Sequence, residues 1–284
     1  MPADRLPEDG ELRLGSVVLP DGQRRALRIP ARKGLRVAEF LPSEPVVWVT
    51  NTPVADPGGA WSALSDMSGR TGLMPFLAAP MRSDQRRPWD SGEFNDPEDM
   101  ARLDHIDAAA VLKHCWDNRL SLDPAEYEDS DTVEWVAVQI APFGRDFPGL
   151  AAGSDEPLDP APRYAALAAL RPARIGLAVA DRPADVLPAI GWGPGNWIDG
   201  ALPVAAVVRS WEERSGARLL EVAHDAFTLL VERPPRTLPP AQRLAAEQFA
   251  FADECSAAGQ VGMNEVGVIA PCLVTAPTWG FWWD

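Results

Sequence analysis

A chain of 284 residues with 41 acidic side chains against 26 lysines and arginines carries a net charge of −15. Such a surface repels phosphate backbones, so nucleic acid is not an expected partner. A hydrophobic share of 46% and a charged share of 24% describe a globular protein with core enough for one large domain or two ordinary ones.

Residues 1–10 are charged and broken by proline, without the apolar centre of a secretory signal. No later run approaches the roughly 18–20 apolar residues of a membrane span, so no membrane role is expected and a cytoplasmic protein is. The 29 prolines and 22 glycines predict short elements with firm stops. Leu12–Leu19 and Ala26–Ile29 read as strands joined by a turn at Pro20-Asp21-Gly22. Val46–Thr50 reads as a buried strand. Asp56-Pro57 supplies a cap and a proline at the first helical position, predicting a helix across Trp61 and Leu64 with Gly69 just past its end. Leu73–Leu77 follows as a strand.

Between Asp90 and Glu134, fourteen acids are met only by Arg102, Lys113 and Arg119. This stretch reads as a solvated acidic face or as a docking surface for a basic partner. Within it Ile106–Leu120 has helical spacing, with Asp104 or Asp107 as caps, and Val133–Ile140 reads as a strand. Leu150–Pro162 is rich in glycine, proline and acid and has no period. It predicts a linker over 151–162 between an irregular N-terminal α+β domain, residues 1–150, and a second domain, residues 163–284.

That second domain is more regular. Ile175–Ala180 reads as a strand and Pro183–Ile190 as a short helix. From Pro203, the positions Val204, Val207, Val208 and Trp211 mark one face of a helix that Gly216 stops. Leu219–His224 and Phe227–Val231 alternate as paired strands, and Pro240–Ala252 is helical. Trp279, Phe281 and Trp283 then share one face of a last strand, and Trp282 falls on the other. The order is βαββαβ, a ferredoxin-like split βαβ arrangement, and the overall class is α+β. Four large aromatics in six residues represent on the order of 15–25 kcal/mol of gross apolar transfer, so this segment is expected to be docked.

The strings Ala206–Arg218, Ala245–Phe251 and Ala276–Asp284 resemble an uncharacterised bacterial family, found mainly in actinobacteria and marked by a closing Phe-Trp-Trp-Asp. Gly72–Leu77, Arg87–Glu93 and Ala141–Leu150 resemble longer members of it. The resemblance implies one evolutionary unit and no particular activity. It also implies a helix at Asp253–Glu265 leading into the last strand, and Gly259, Gly262 and Gly267 loosen the pattern.

Motifs for chemistry are sparse. No Gly-x-Gly-x-x-Gly, phosphate-binding loop or Gly-x-Ser-x-Gly elbow occurs, so no cofactor is expected. His105 and His114 lie about 2.5 helical turns apart and face opposite ways, a poor metal pair. Cys115, Cys255 and Cys272 are odd in number and widely spaced, which predicts free thiols. His224 and Asp225 at a hairpin end, with Glu212, are the candidates for acid–base catalysis. Tryptophans on tight loops are candidate binding anchors: Trp89 in Arg87–Glu93, and Trp192 and Trp197 with Asn196 in Gly191–Trp197. Trp282 is a further candidate contact. Trp48, Trp116 and Trp211 read as core. The expected function is a non-catalytic binding protein, immunity-like or regulatory, with a basic protein as partner. The alternative is an enzyme holding a small substrate between the two domains.

Overall fold

Val47–Thr50, Leu73–Ala78 and Arg174–Val179 offer almost no polar face, so each strand needs cover on both sides. A computed structural model gives them that cover. It describes residues 5–27, 44–81, 84, 86–91, 93–121, 136–157, 159–193 and 198–284. The strands are β1 (Gly10–Leu14), β2 (Val17–Arg25), β3 (Val47–Thr50), β4 (Leu73–Ala78), β5 (Arg174–Val179), β6 (Arg218–Val222), β7 (Ala226–Leu230), β8 (Glu254–Ala257), β9 (Gln260–Met263) and β10 (Thr278–Trp282). They form one ten-stranded sheet in the order β1-β2-β3-β5-β4-β6-β7-β10-β8-β9. Every residue of β3, β4 and β5 is buried. Neighbours run antiparallel except β4 and β6, which are parallel.

The class is α+β, and the expected division is corrected by strand order. β5 lies beyond the expected linker yet sits between β3 and β4 of the first half. β4 in turn separates β5 from β6, and β10 pairs with β7 and β8. The ferredoxin-like arrangement of residues 163–284 therefore does not form. The linker itself is clamped. Glu247, fully buried, accepts from Ala151 N at 2.6 Å, Trp211 Nε1 at 2.8 Å and both terminal nitrogens of Arg214. Arg214 also donates to Ala151 O, Ser154 N donates to Arg214 O, and Arg243 donates to Pro148 O. A buried carboxylate is tolerable only with such a full set of donors, which here tie the irregular stretch to two helices.

Helices are α1 (Pro57–Thr71), α2 (Ala108–Leu120), α3 (Pro160–Ala168), α4 (Val186–Ala189), α5 (Ala201–Ser215), α6 (Leu238–Phe251) and α7 (Val266–Leu273). Asp56 caps α1 by accepting from Gly59 N at 2.9 Å. The helix runs past Gly69 and stops at Gly72, whose φ of 66° is left-handed. Alternation along the strands separates two apolar clusters. One holds Val47, Val49, Phe76 and Ala178 with α2, α5, α6 and α7; the other holds Trp48, Leu77, Ile175 and Leu177 with α1 and α3.

Three further expectations are corrected. The first hairpin turns at Gly15-Ser16, and Pro20-Asp21-Gly22 lies inside β2. Gly22 is needed there because a Cβ would stand 2.2 Å from the Trp48 ring. Residues 136–140 are helical, with Val136, Gln139 and Ile140 turned inward at helical spacing; residues 133–135 lie outside the described residues. Asp253–Glu265 holds the β8–β9 hairpin, turned by Ala258 and Gly259, both at positive φ.

Candidate functional site

The last strand is docked as its alternation predicts. Trp279, Phe281 and Trp283 are buried against Trp211, Phe227 and Phe251, and Trp283 Nε1 donates to Phe251 O at 3.0 Å. Gly280 and Trp282 turn to the opposite face. There a groove of about 200 Å³ is lined wholly by strand residues of β7, β8, β9 and β10. Pairing register builds it. Glu221, Thr228, Gly280 and Ser256 form one cross-strand row, and Ala226, Trp282 and Glu254 form the next.

Gly280 is the floor because a Cβ there would stand 2.2 Å from Ser256 Oγ. Trp282, half-buried, forms a wall, and its Nε1 donates to Asp225 Oδ2 at 3.2 Å. Across the groove Val261 on β9 is 80% exposed. Glu254, directly opposite Trp282, is the only charged side chain lining it among the described residues. Glu221 ends the upper row without an ion-pair partner among the described residues, and burial raises its carboxyl above the ordinary range.

A second cluster lies past the end of β6. His224 stacks on Phe94, with ring centroids 6.2 Å apart, and its Nδ1 is buried 3.8 Å from Glu93 Oε2 without a hydrogen bond. Arg87 holds Glu93 through Nε at 2.5 Å and Nη2 at 2.8 Å, and Ser91 Oγ donates to the same carboxylate. The Arg87 hydrogen bond keeps the Glu93 carboxyl below its ordinary value, against a smaller opposing effect of burial. Two remote segments, the Arg87–Glu93 loop and the His224-Asp225 turn, thus meet at one sheet end.

The other expected residues divide as follows. Glu212 is not with His224; it is held at the opposite end of β6's neighbourhood by Arg182 at 2.9 Å and by Ala184 N at 2.8 Å. Burial raises its carboxyl, against those two contacts. Asp225 is committed to Trp282 and, through its carbonyl, to Trp283 N. Trp89 and Trp192 are corrected from surface anchors to loop plugs: both are fully buried, and their indole N–H groups donate to Ala79 O and Ala223 O. Asn196 and Trp197 lie outside the described residues.

Among the described residues the acids of this stretch are largely occupied. Asp90 meets Arg25 and Arg174, Asp104 meets Arg209, Asp117 meets Lys113, Glu98 accepts from Ala201 N, and Asp99 and Asp107 cap helices. Residues 122–135 lie outside the described residues. Among the described residues no three His, Cys, Asp or Glu side chains gather as metal ligands, and no helix is long and apolar enough to cross a membrane. Sequence reading missed Thr228, Ser256 and Glu254, because their convergence depends on the register between β10 and β8.

Fold and groove together define an α+β protein with an open sheet face beside its C-terminal strand. Residues 174–284 match a domain of unknown function, DUF4253, which takes in β5 through β10 and every residue lining the groove. Comparison with curated proteins and with solved structures found no match.

Proposed function

We propose that the protein is a non-catalytic binding protein that seats a cationic side chain of a basic partner between Trp282 and Glu254. The observation that carries this reading is their pairing: Trp282 and Glu254 are cross-strand partners on an open face, in a groove with no basic side chain among the described residues. A guanidinium or ammonium gains from both. The groove's roughly 200 Å³ falls short of the ~300–1,000 Å³ typical of small-molecule pockets, and suits one long side chain better than a metabolite. Glu221 and the excess of acid over the whole chain add attraction for a basic partner and repulsion for nucleic acid. Isolated thiols favour a cytoplasmic setting, where an immunity-like or regulatory role would place such a surface.

Titrating the protein with an arginine hexapeptide, with a glutamate hexapeptide as control, tests this. Cation–π contacts are worth roughly 0.5–2 kcal/mol, so Trp282→Ala should weaken binding about two- to thirtyfold. That variant leaves the net charge unchanged, which separates the groove from general acidity. Equal affinity of Trp282→Ala and wild type overturns the reading.

An enzymatic reading draws on one observation, the buried His224 Nδ1 beside the Arg87-held Glu93 carboxylate, which has the residue types of a proton-transfer pair. His224→Gln separates the two. Unchanged peptide affinity keeps the function in the groove; lost affinity moves it to the Glu93 end.

A further inference from the structure

At the start of β6, the end away from His224, a cleft of about 400 Å³ opens between the C-terminal part of α1, the Asp181–Pro183 turn, the end of α5 and the segment after β7. Its size falls within the ~300–1,000 Å³ typical of small-molecule pockets. Six charged side chains line it: Asp181, Arg182, Glu212, Arg218, Glu232 and Arg233. Arg182 is consumed by Glu212 and Glu213, and Glu232 by Arg163 at 3.6 Å.

Arg218 and Arg233 are different. Neither has an ion-pair partner within 4.0 Å among the described residues. Arg233 spends one N–H on Glu213 O. The Arg218 side chain makes no hydrogen bond among the described residues and rests 5.4 Å from the centroid of the Trp61 ring. Burial lowers the Arg218 guanidinium from its ordinary value, against attraction from the more distant Asp66, Glu212 and Glu232. Both guanidinium groups line the same cleft. A guanidinium presents a fork of donors that matches a carboxylate or phosphate. The nearby carboxylates of Asp181, Glu212 and Glu232 repel a dianion more than a monoanion, which favours carboxylate over phosphate.

We infer that this cleft binds a small metabolite through a carboxylate group, held by Arg218 and Arg233. None of its residues lines the Trp282 groove, so the assignment stands whether or not that groove takes a basic partner.

Calorimetric titration of the full chain with sodium glutamate, succinate, acetate and inorganic phosphate provides the test. At least one of the carboxylates should bind, and Arg218→Gln should weaken it about tenfold or more. Arg233→Gln, nearer the surface, should do the same and guards against a folding defect in the first variant. Binding should also alter tryptophan emission in wild type but not in Trp61→Phe, because Arg218 stands over that ring. The inference is overturned if no carboxylate binds, if phosphate alone binds, or if either folded arginine variant binds as wild type does.

Discussion

Gly280 and Trp282 stand two residues apart on the same face of one strand and do opposite things: one leaves space, the other bounds it. Glu221 shares that face and carries a pH dependence. Burial raises its carboxyl above the ordinary value, so the folded chain holds the proton more tightly than the unfolded chain does. The stability this contributes is fully present below the unfolded value of about 4.3 and is lost as pH rises through the raised folded value. Glu221→Gln should therefore be more stable than wild type at pH 7, with the advantage shrinking toward pH 4. Urea unfolding at both pH values measures this, and an identical difference at the two would refute it. The residue types alone did not disclose Glu221. Its lack of an ion-pair partner among the described residues is a property of the strands beside it.

Among the elements, β10 was legible because aromatics at every second position can satisfy one buried face only as a strand. Trp279→Ala should cost about 3–5 kcal/mol, and Trp282→Ala far less, as read by urea denaturation. Deletion of Trp279–Asp284 should leave an aggregating chain; a soluble deletion mutant with an unchanged melting midpoint would contradict this. The α1 cap and the α5 stripe were legible for the same reason, since their causes lie within one turn of the chain. Pro20-Asp21-Gly22 was misread because its composition suits a turn, whereas Gly22 answers to the Trp48 ring on the next strand. Asp253–Glu265 failed similarly: Gly259, which loosens a helix, also turns a hairpin with Ala258. Of the candidate site, Trp282 and the Arg87–Glu93 loop could be picked out in sequence. His224 could be picked out too, but its meeting with Glu93, and that of Glu254 with Trp282, are assigned by strand order and register.

For the whole molecule, the domain match begins at residue 174, yet the sheet does not begin there. Residues 163–284 expressed alone should fail to fold, because β5 would lose β3 and β4, its two neighbours, and β6 would lose β4. Near-ultraviolet circular dichroism should show no fixed aromatic environment, and coexpression with residues 1–157 should restore it. A cooperatively melting isolated fragment would defeat this. The insertion of β5 also sets a timetable for synthesis. Arg174 bonds the carbonyl of Thr50, made 124 residues earlier. At typical rates of 5–20 residues per second, β3 and β4 leave the ribosome roughly 5–25 s before the strand that joins them. During that interval two almost wholly apolar strands have open edges and no mutual partner. The nascent chain is thus most exposed to aggregation midway through translation, well before its tryptophan-rich end exists.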